Sequence, residues 1–213
     1  MLSLVGWHFC LICGSILVMR VLIACEESQA VCKAFRAKGH EAYSCDILPC
    51  SGGHPEWHIQ GDVLEQLDKG WDLMVAHPPC TYLSNVGAPH MFKGGVVNQE
   101  RFKKMIDAKD FFLKLYNANI PKIVIENPTP LGVCELPKYS QAIQPCEHGD
   151  PFKKRTCLWV KGLPLLKPTN IVRGEPTTVA GNWYNKPPKG VPRAVARSKT
   201  FPGIANAMAD QWG

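Results

Sequence analysis

Apolar and polar positions alternate along this chain in two different rhythms. Residues 21–24 are an unbroken apolar run, and residues 72–76 and 122–125 each carry such a run behind one polar residue. Runs of this length without alternation suit strands covered on both faces. Residues 41–46 and 156–160 read as two further strands. Helical spacing lies between them: Val31 and Phe35 are four apart behind Ser28, the expected N-cap, and Gly39 supplies the stop. A longer helix is predicted over 98–116. It has Phe102, Met105, Ile106, Phe112, Leu113 and Tyr116 on one face, with Arg101, Lys103, Lys104, Asp107 and Asp110 mostly elsewhere. Strand and helix in alternation predict an α/β fold: a Rossmann-like, mostly parallel sheet with helices on both faces.

After Pro128 the texture changes. Prolines recur at short intervals from Pro130 to Pro202, which points to loops and short edge strands. In this part only 156–160 reads as a strand and only 203–212 as a closing helix. The predicted organisation is an α/β domain over 19–150. A small, basic, loop-rich lobe with the closing helix, 151–213, belongs to the same domain. Residues 1–18, MLSLVGWHFCLICGSILV, are apolar and uncharged. A membrane anchor, a signal peptide and an extension upstream of a native start at Met19 compete for them. Neither a basic leading region nor a small-residue cleavage site precedes Arg20, so the expectation is a non-native or disordered extension, with the anchor second.

Composition changes this picture little. A chain of 213 residues, 46% hydrophobic, buries a proper core without staples, so its ten scattered cysteines are expected to be reduced thiols of a cytoplasmic protein. Charge changes it more. Residues 151–213 carry eleven Lys and Arg against Glu175 and Asp210, a net of +9, whereas residues 1–150 sum to −3. With Trp183, Tyr184 and Phe201 interleaved, the basic third suits nucleic acid, because phosphates seek cations and bases stack on aromatic rings. A solvated lysine surface is the plainer alternative.

In a parallel sheet ligands bind beyond the carboxyl ends of the strands, and Glu26, Asp46, Cys80 and Glu126 all fall at such ends. Cys80 follows Pro78 and Pro79, which remove backbone donors and force a stiff loop. That setting suits a positioned thiol nucleophile. Glu126 ends the 122–125 run, where a carboxylate must be satisfied, and parallel topology can bring it near Cys80 as a proton donor.

Pro78-Pro79-Cys80 with Ser84, and Glu126-Asn127-Pro128, resemble the catalytic loop and the Glu-Asn-Val motif of cytosine-C5 DNA methyltransferases. Lys153-Lys154-Arg155-Thr156 resembles their basic motif, and residues 197–213 their closing helix. The motif order is kept over residues 19–213, and the whole resembles compact methyltransferase-like proteins of phages and prophages. The resemblance implies a host-cytoplasmic enzyme that uses S-adenosylmethionine. Its Cys80 thiolate would add to C6 of a cytosine that is flipped out or single-stranded, Glu126 would hold N3, and Arg155 would steady the base. DNA contacts are expected from Ser84 in the loop and from Lys153, Lys154, Arg193, Arg197 and Lys199 of the basic third, with no membrane and no obligate protein partner.

For the cofactor, Ala24-Cys25-Glu26-Glu27-Ser28 replaces the family's Gly-rich loop. The helix start at Ser28 is expected to offer backbone donors to the cofactor carboxylate, with Glu26 or Glu27 near its positive charge. Asp46 is expected on the ribose hydroxyls and Asp62 on the adenine amino group, and Ile47 and Pro78 complete the set. Thr81 stands where the family has glutamine, and only about 40 residues separate Val160 from Phe201, too few for a sizeable target-recognition domain. Cys45, Cys50, His54 and His58 are a weak zinc candidate by spacing; the reading preferred for that stretch is a loop beside the cofactor, and no metal is expected.

Three other readings stay open on the residues. Methylation of free cytosine nucleotides would account for the missing recognition domain. Amino-methylation of a base is suggested by the Pro-Pro pair, although His77 and Cys80 flank it in place of the usual acid or Asn and aromatic. A catalytically inactive DNA- or cofactor-binding homologue is suggested by the altered cofactor loop.

Overall fold

The computed structural model describes residues 17–176 and 198–213, the side chains of Lys93 and Pro176 excepted. Residues 1–16 of the apolar extension, and the segment 177–197 with Trp183, Tyr184, Arg193 and Arg197, lie outside the described residues.

The strands of the main sheet are β1 (Arg20–Ala24), β2 (Glu41–Asp46), β3 (His58–Gln60), β4 (Leu73–Ala76), β5 (Lys122–Pro128), β6 (Gln141–Ile143) and β7 (Thr156–Lys161). Their spatial order is β3-β2-β1-β4-β5-β7-β6. The first five run parallel, and β7 is antiparallel to both of its neighbours. The helices are α1 (Ala30–Ala37), α2 (Gln99–Tyr116) and α3 (Pro202–Trp212). This is the mixed α/β, mostly parallel sheet that the apolar pattern predicts.

Successive strand side chains point to opposite faces, and the unbroken apolar runs therefore feed two cores. Val21, Ile23, Val75 and Val124 pack under α1 and α3, against Val31, Phe35, Ile204, Met208 and Trp212. Leu22, Met74, Ile123 and Ile125 pack under α2, against Met105, Phe112 and Trp159. The Phe112 ring meets Trp159 edge-on at 5.0 Å, and the Trp159 indole donates to Pro137 O at 2.7 Å, so its burial leaves no unpaired donor.

Three local features differ from the sequence expectation. The edge strands β3 and β6 have three residues each, too short to show a period, and exist through pairing with β2 and β7. Helix α1 begins at Ala30, two residues past the expected Ser28 cap, because Gln29 adopts a left-handed conformation (φ 57°). Its end donors are taken instead by Glu26, whose carboxylate accepts from Val31 N at 2.8 Å and Cys32 N at 3.2 Å. Among the described residues, no helix is long and apolar enough to cross a membrane.

Candidate active site

Parallel register builds the site. Ala76 of β4 pairs with Ile125 of β5, and the next residues along the two strands are His77 and Glu126. The β4 ladder stops there because Pro78 and Pro79 have no N–H to continue it. His77 turns its backbone N–H to Ala24 O at 2.9 Å, which ties the loop to the end of β1. Its side chain meets its neighbour across the sheet: Nδ1 lies 2.8 Å from Glu126 Oε2, with the two side chains only 9% and 12% exposed.

Burial works against charge on both partners of this pair, yet each sustains the other. The hydrogen bond to Glu126 and its charge, then the charge of Glu26, outweigh burial and hold His77 above the ordinary histidine range, against an opposing push from Lys154. The His77 hydrogen bond and charge, then Lys154 and the Thr156 hydroxyl, outweigh burial and hold Glu126 below the ordinary carboxylate range. Both shifts favour the charged, ion-paired form of the two side chains.

The two motifs that the sequence separates by more than forty residues are joined at several further points. Asn127 Nδ2 donates to Pro78 O at 3.1 Å, Asn85 N to Thr129 O at 3.0 Å, and Leu131 N to Leu83 O at 2.7 Å. Ser84 bridges Pro130. Cys80 is half-buried and free of any disulfide; its carbonyl accepts from Leu83 N and Ser84 N, which curls the loop into a turn. From α2, Arg101 donates to Thr81 O at 2.8 Å and lies over the Tyr82 ring. A pocket lined by Pro79, Tyr82, Lys104, Asp107, Ala108 and Phe111 opens beside this clamp. Two buried atoms at the centre, His77 Nε2 and Asn127 Oδ1, have no hydrogen-bond partner among the described residues. Buried polar groups in folded proteins are mostly paired, to protein or to water, so these two atoms are positions where a further partner fits.

The ends of β1, β2 and β3, where the cofactor is expected, lie beside these motifs along the same sheet edge. Cys25 (φ 59°) hangs on Cys45 O by its N–H at 2.7 Å. Its thiol is pushed far up by burial and then by the charges of Asp46, Cys45 and Asp62, so both carboxylates act on one point. Asp46 Oδ1 accepts from Leu48 N and Asp62 Oδ1 from Leu64 N, each at 2.9 Å. Ile47 beside them is 75% exposed. Glu27 is bound to the Ser51 hydroxyl.

Other predicted residues fall in different settings. Ser84 is only 5% exposed and serves the loop, so it offers no surface to a phosphate in this arrangement. Arg155 is exposed and donates to the Tyr139 hydroxyl at 3.0 Å. Lys154, expected only as a DNA contact, is the lysine whose charge reaches His77 and Glu126, and its ammonium lies 5.7 Å from the Phe201 ring centroid. Lys153 is exposed and Lys199 partly so.

The four residues of the weak zinc candidate are engaged elsewhere in the structure. Cys45 is fully buried with its thiol on Gly61 O, and that thiol is pushed up to about 11 by burial and then by Asp46, Asp62 and Glu65, which opposes the thiolate that zinc requires. Cys50 donates to Gln29 Oε1, His54 stacks on Trp57 at 3.8 Å, and His58 is held by Ser44 and Leu48 O. No cluster able to hold a metal occurs among the described residues. The loop is ordered by Gln29, fully buried, whose amide also bonds His54 N and His54 O. Nothing in the local sequence marks Gln29 for this work.

No protein-family model and no curated protein matches the chain. Among solved structures it is similar to the crystal structure, from E. coli, of a protein assigned as a DNA modification methyltransferase encoded within a prophage. The TM-score is 0.46 at 13% identity, over 73% of this chain and 52% of that one. The chain thus spans about half the length of that protein.

Proposed function

We propose that the chain transfers a methyl group from S-adenosylmethionine to C5 of cytosine in DNA, through a transient bond between the Cys80 thiolate and C6. The observation that carries this reading is the knitting of the Pro-Pro-Cys loop to the Glu-Asn-Pro strand, with Asn127 on Pro78 O and Glu126 beside the loop's first residue. Cytosine is a poor nucleophile at C5. Addition of a soft nucleophile at C6, with a proton delivered to N3, turns the ring into an enamine that is a good one. Cys80 and Glu126 are the groups for these two tasks.

The residues at the ends of β1–β3 suit the cofactor. Asp46 and Asp62 converge beside Cys25 at adjacent strand ends, where this fold takes nucleosides, and the exposed Ile47 offers apolar cover for adenine. When bound, the cofactor supplies a methyl group made electrophilic by a sulfonium. Glu26 is committed to the α1 terminus, so the cofactor carboxylate must find its donors elsewhere. That one observation favours the inactive, binding-only reading as the alternative. The basic third of the chain, with Lys153 and Lys199 at the described surface, suits a DNA backbone.

Calorimetry with S-adenosylmethionine tests the cofactor half. Hydrogen bonds to a charged group contribute about 1.5–3 kcal/mol, so Asp46→Ala is expected to weaken binding roughly tenfold to a hundredfold. Unchanged affinity removes Asp46 from the site.

A further inference from the structure

The catalytic glutamate of this reading does not stand alone, and its partner is a histidine from the loop that carries the nucleophile. We propose that His77 and Glu126 work as one protonic unit: a single proton, resident on His77 Nδ1 before the base arrives, passes to Glu126 and makes it the acid that protonates N3. The proposal rests on the cytosine reading above and adds to it a positioning residue, His77, that acts through Glu126.

Geometry carries it. Nδ1 and Oε2 are 2.8 Å apart, within reach of direct proton transfer, and neither side chain is solvated. The strand register fixes the contact, since Ala76 pairs with Ile125 and the backbone of His77 is held on Ala24 O. The charged groups that face the pair come from three directions: Glu26 after β1, Lys154 before β7, and the two partners themselves on β4 and β5. Glu26 favours the proton on His77 and Lys154 favours the anion on Glu126, so the surroundings bias the pair toward imidazolium and carboxylate. A carboxylate cannot protonate N3. A flat neutral base that covers the site expels water and raises the penalty on both charges, and the pair relieves it by neutralising itself.

The transfer balances within the pair and the base. The Nδ1–H bond breaks, leaving its electrons on the imidazole, and an O–H bond forms on Glu126. The carboxyl turns about its Cγ–Cδ bond and gives that proton to N3 as the Cys80 sulfur bonds to C6. The C5=C6 pair moves to C4–C5 and the C4=N3 pair to nitrogen. At the end of the cycle C5 gives up its proton to solvent, the freed pair restores C5=C6 as C6–S breaks and its electrons leave on sulfur, and the N3 proton returns by the same route to reform the ion pair.

The sign of the pH dependence follows. A donor held on a histidine above its ordinary range stays loaded to higher pH than an ordinary imidazole would, and is lost as pH rises through that raised value. Without the imidazole, Glu126 must keep its own proton, and the basic limb of the reaction moves to lower pH.

Two measurements on the full chain test this. By NMR of labelled imidazole, His77 in the wild type should titrate above an ordinary histidine, and in Glu126→Gln at least one unit lower. In single-turnover methyl transfer, His77→Asn, which keeps a side-chain N–H, should lower the rate at neutral pH by roughly tenfold to a hundredfold. It should also shift the basic limb at least one unit toward acid, with substrate affinity changed less than about threefold. His77→Gln guards against a packing failure peculiar to asparagine. A basic limb left in place by both variants, or a His77 titration indifferent to Glu126→Gln, overturns the proposal. A coupled titration in a protein that methylates no cytosine substrate overturns the cytosine reading instead, and with it the delivery to N3.

Discussion

Mixed with 5-fluorocytosine DNA and S-adenosylmethionine, the protein is expected to become covalently attached to its substrate, and Cys80→Ala to abolish the attachment. The argument is chemical. Release of the enzyme requires C5 to lose a proton so that the C6–S bond can break, and fluorine at C5 cannot leave as a cation. The adduct should therefore survive denaturation. No other side chain in the Pro-Pro-Cys loop is as soft a nucleophile. Glu126→Gln should slow trapping by about a hundredfold or more, because N3 loses its proton donor. Cys25→Ala and Cys157→Ala are the controls: burial pushes both thiols up, so neither supplies a thiolate, and both variants should still trap. Trapping that persists in Cys80→Ala removes Cys80 from the chemistry.

The second large effect lies at the closing helix. Gly203 sits in the first turn of α3, where its N–H reaches Asp150 Oδ2 at 2.8 Å. A Cβ at this position would stand 1.9 Å from His148 O and 2.7 Å from Asp150 Oδ2. The obstacle is backbone, which cannot swing aside as a long side chain would. Gly203→Ala must lift the helix end, loosening Ile204, Met208 and Trp212 from the core over α1. Overpacking of this kind costs about 3 kcal/mol, which in a chain of this size lowers Tm by roughly 6–12 °C. Gly132→Ala, where a Cβ meets nothing within 4 Å, should leave Tm within about a degree or two. Phe201 precedes the helix and lies under Lys154, so the same variant should also weaken methyl transfer. An unchanged melting curve for Gly203→Ala would mean that α3 is not seated as described.

Much of this was legible because burial on two faces leaves a plain mark. The runs at β1, β4 and β5 have no polar residue to spare, and α2 has its cap, with Asn98 Oδ1 accepting from Arg101 N, and a stripe on which Met105 and Phe112 are buried as expected, whereas Ile106 is exposed and Leu115 is buried in its place. The edge strands β3 and β6 were hidden, since three residues held by a neighbour need no pattern of their own. The start of α1 was hidden for a different reason: Glu26 reaches forward five residues to cap it, and Gln29 takes the left-handed turn usually left to glycine. The His77–Glu126 pair lay in plain view but needed register. Each residue directly follows an apolar run, and aligning the runs at 73–76 and 122–125 puts the two side by side. At Cys45, Cys50, His54 and His58 the intervals suit zinc, but intervals alone say nothing about which way the side chains point. In the fold Cys45 turns into the core and His54 onto Trp57.

The central claim is methyl transfer to cytosine C5 in DNA, and one measurement meets it directly. Purified protein with methyl-labelled S-adenosylmethionine is offered duplex DNA, single-stranded DNA and free cytosine nucleotide in parallel, and the products are hydrolysed and separated. The account predicts label in DNA, recovered as 5-methylcytosine and lost in Cys80→Ala. Label recovered on an exocyclic nitrogen, label confined to the free nucleotide, or no label in a protein that still binds the cofactor would each contradict it.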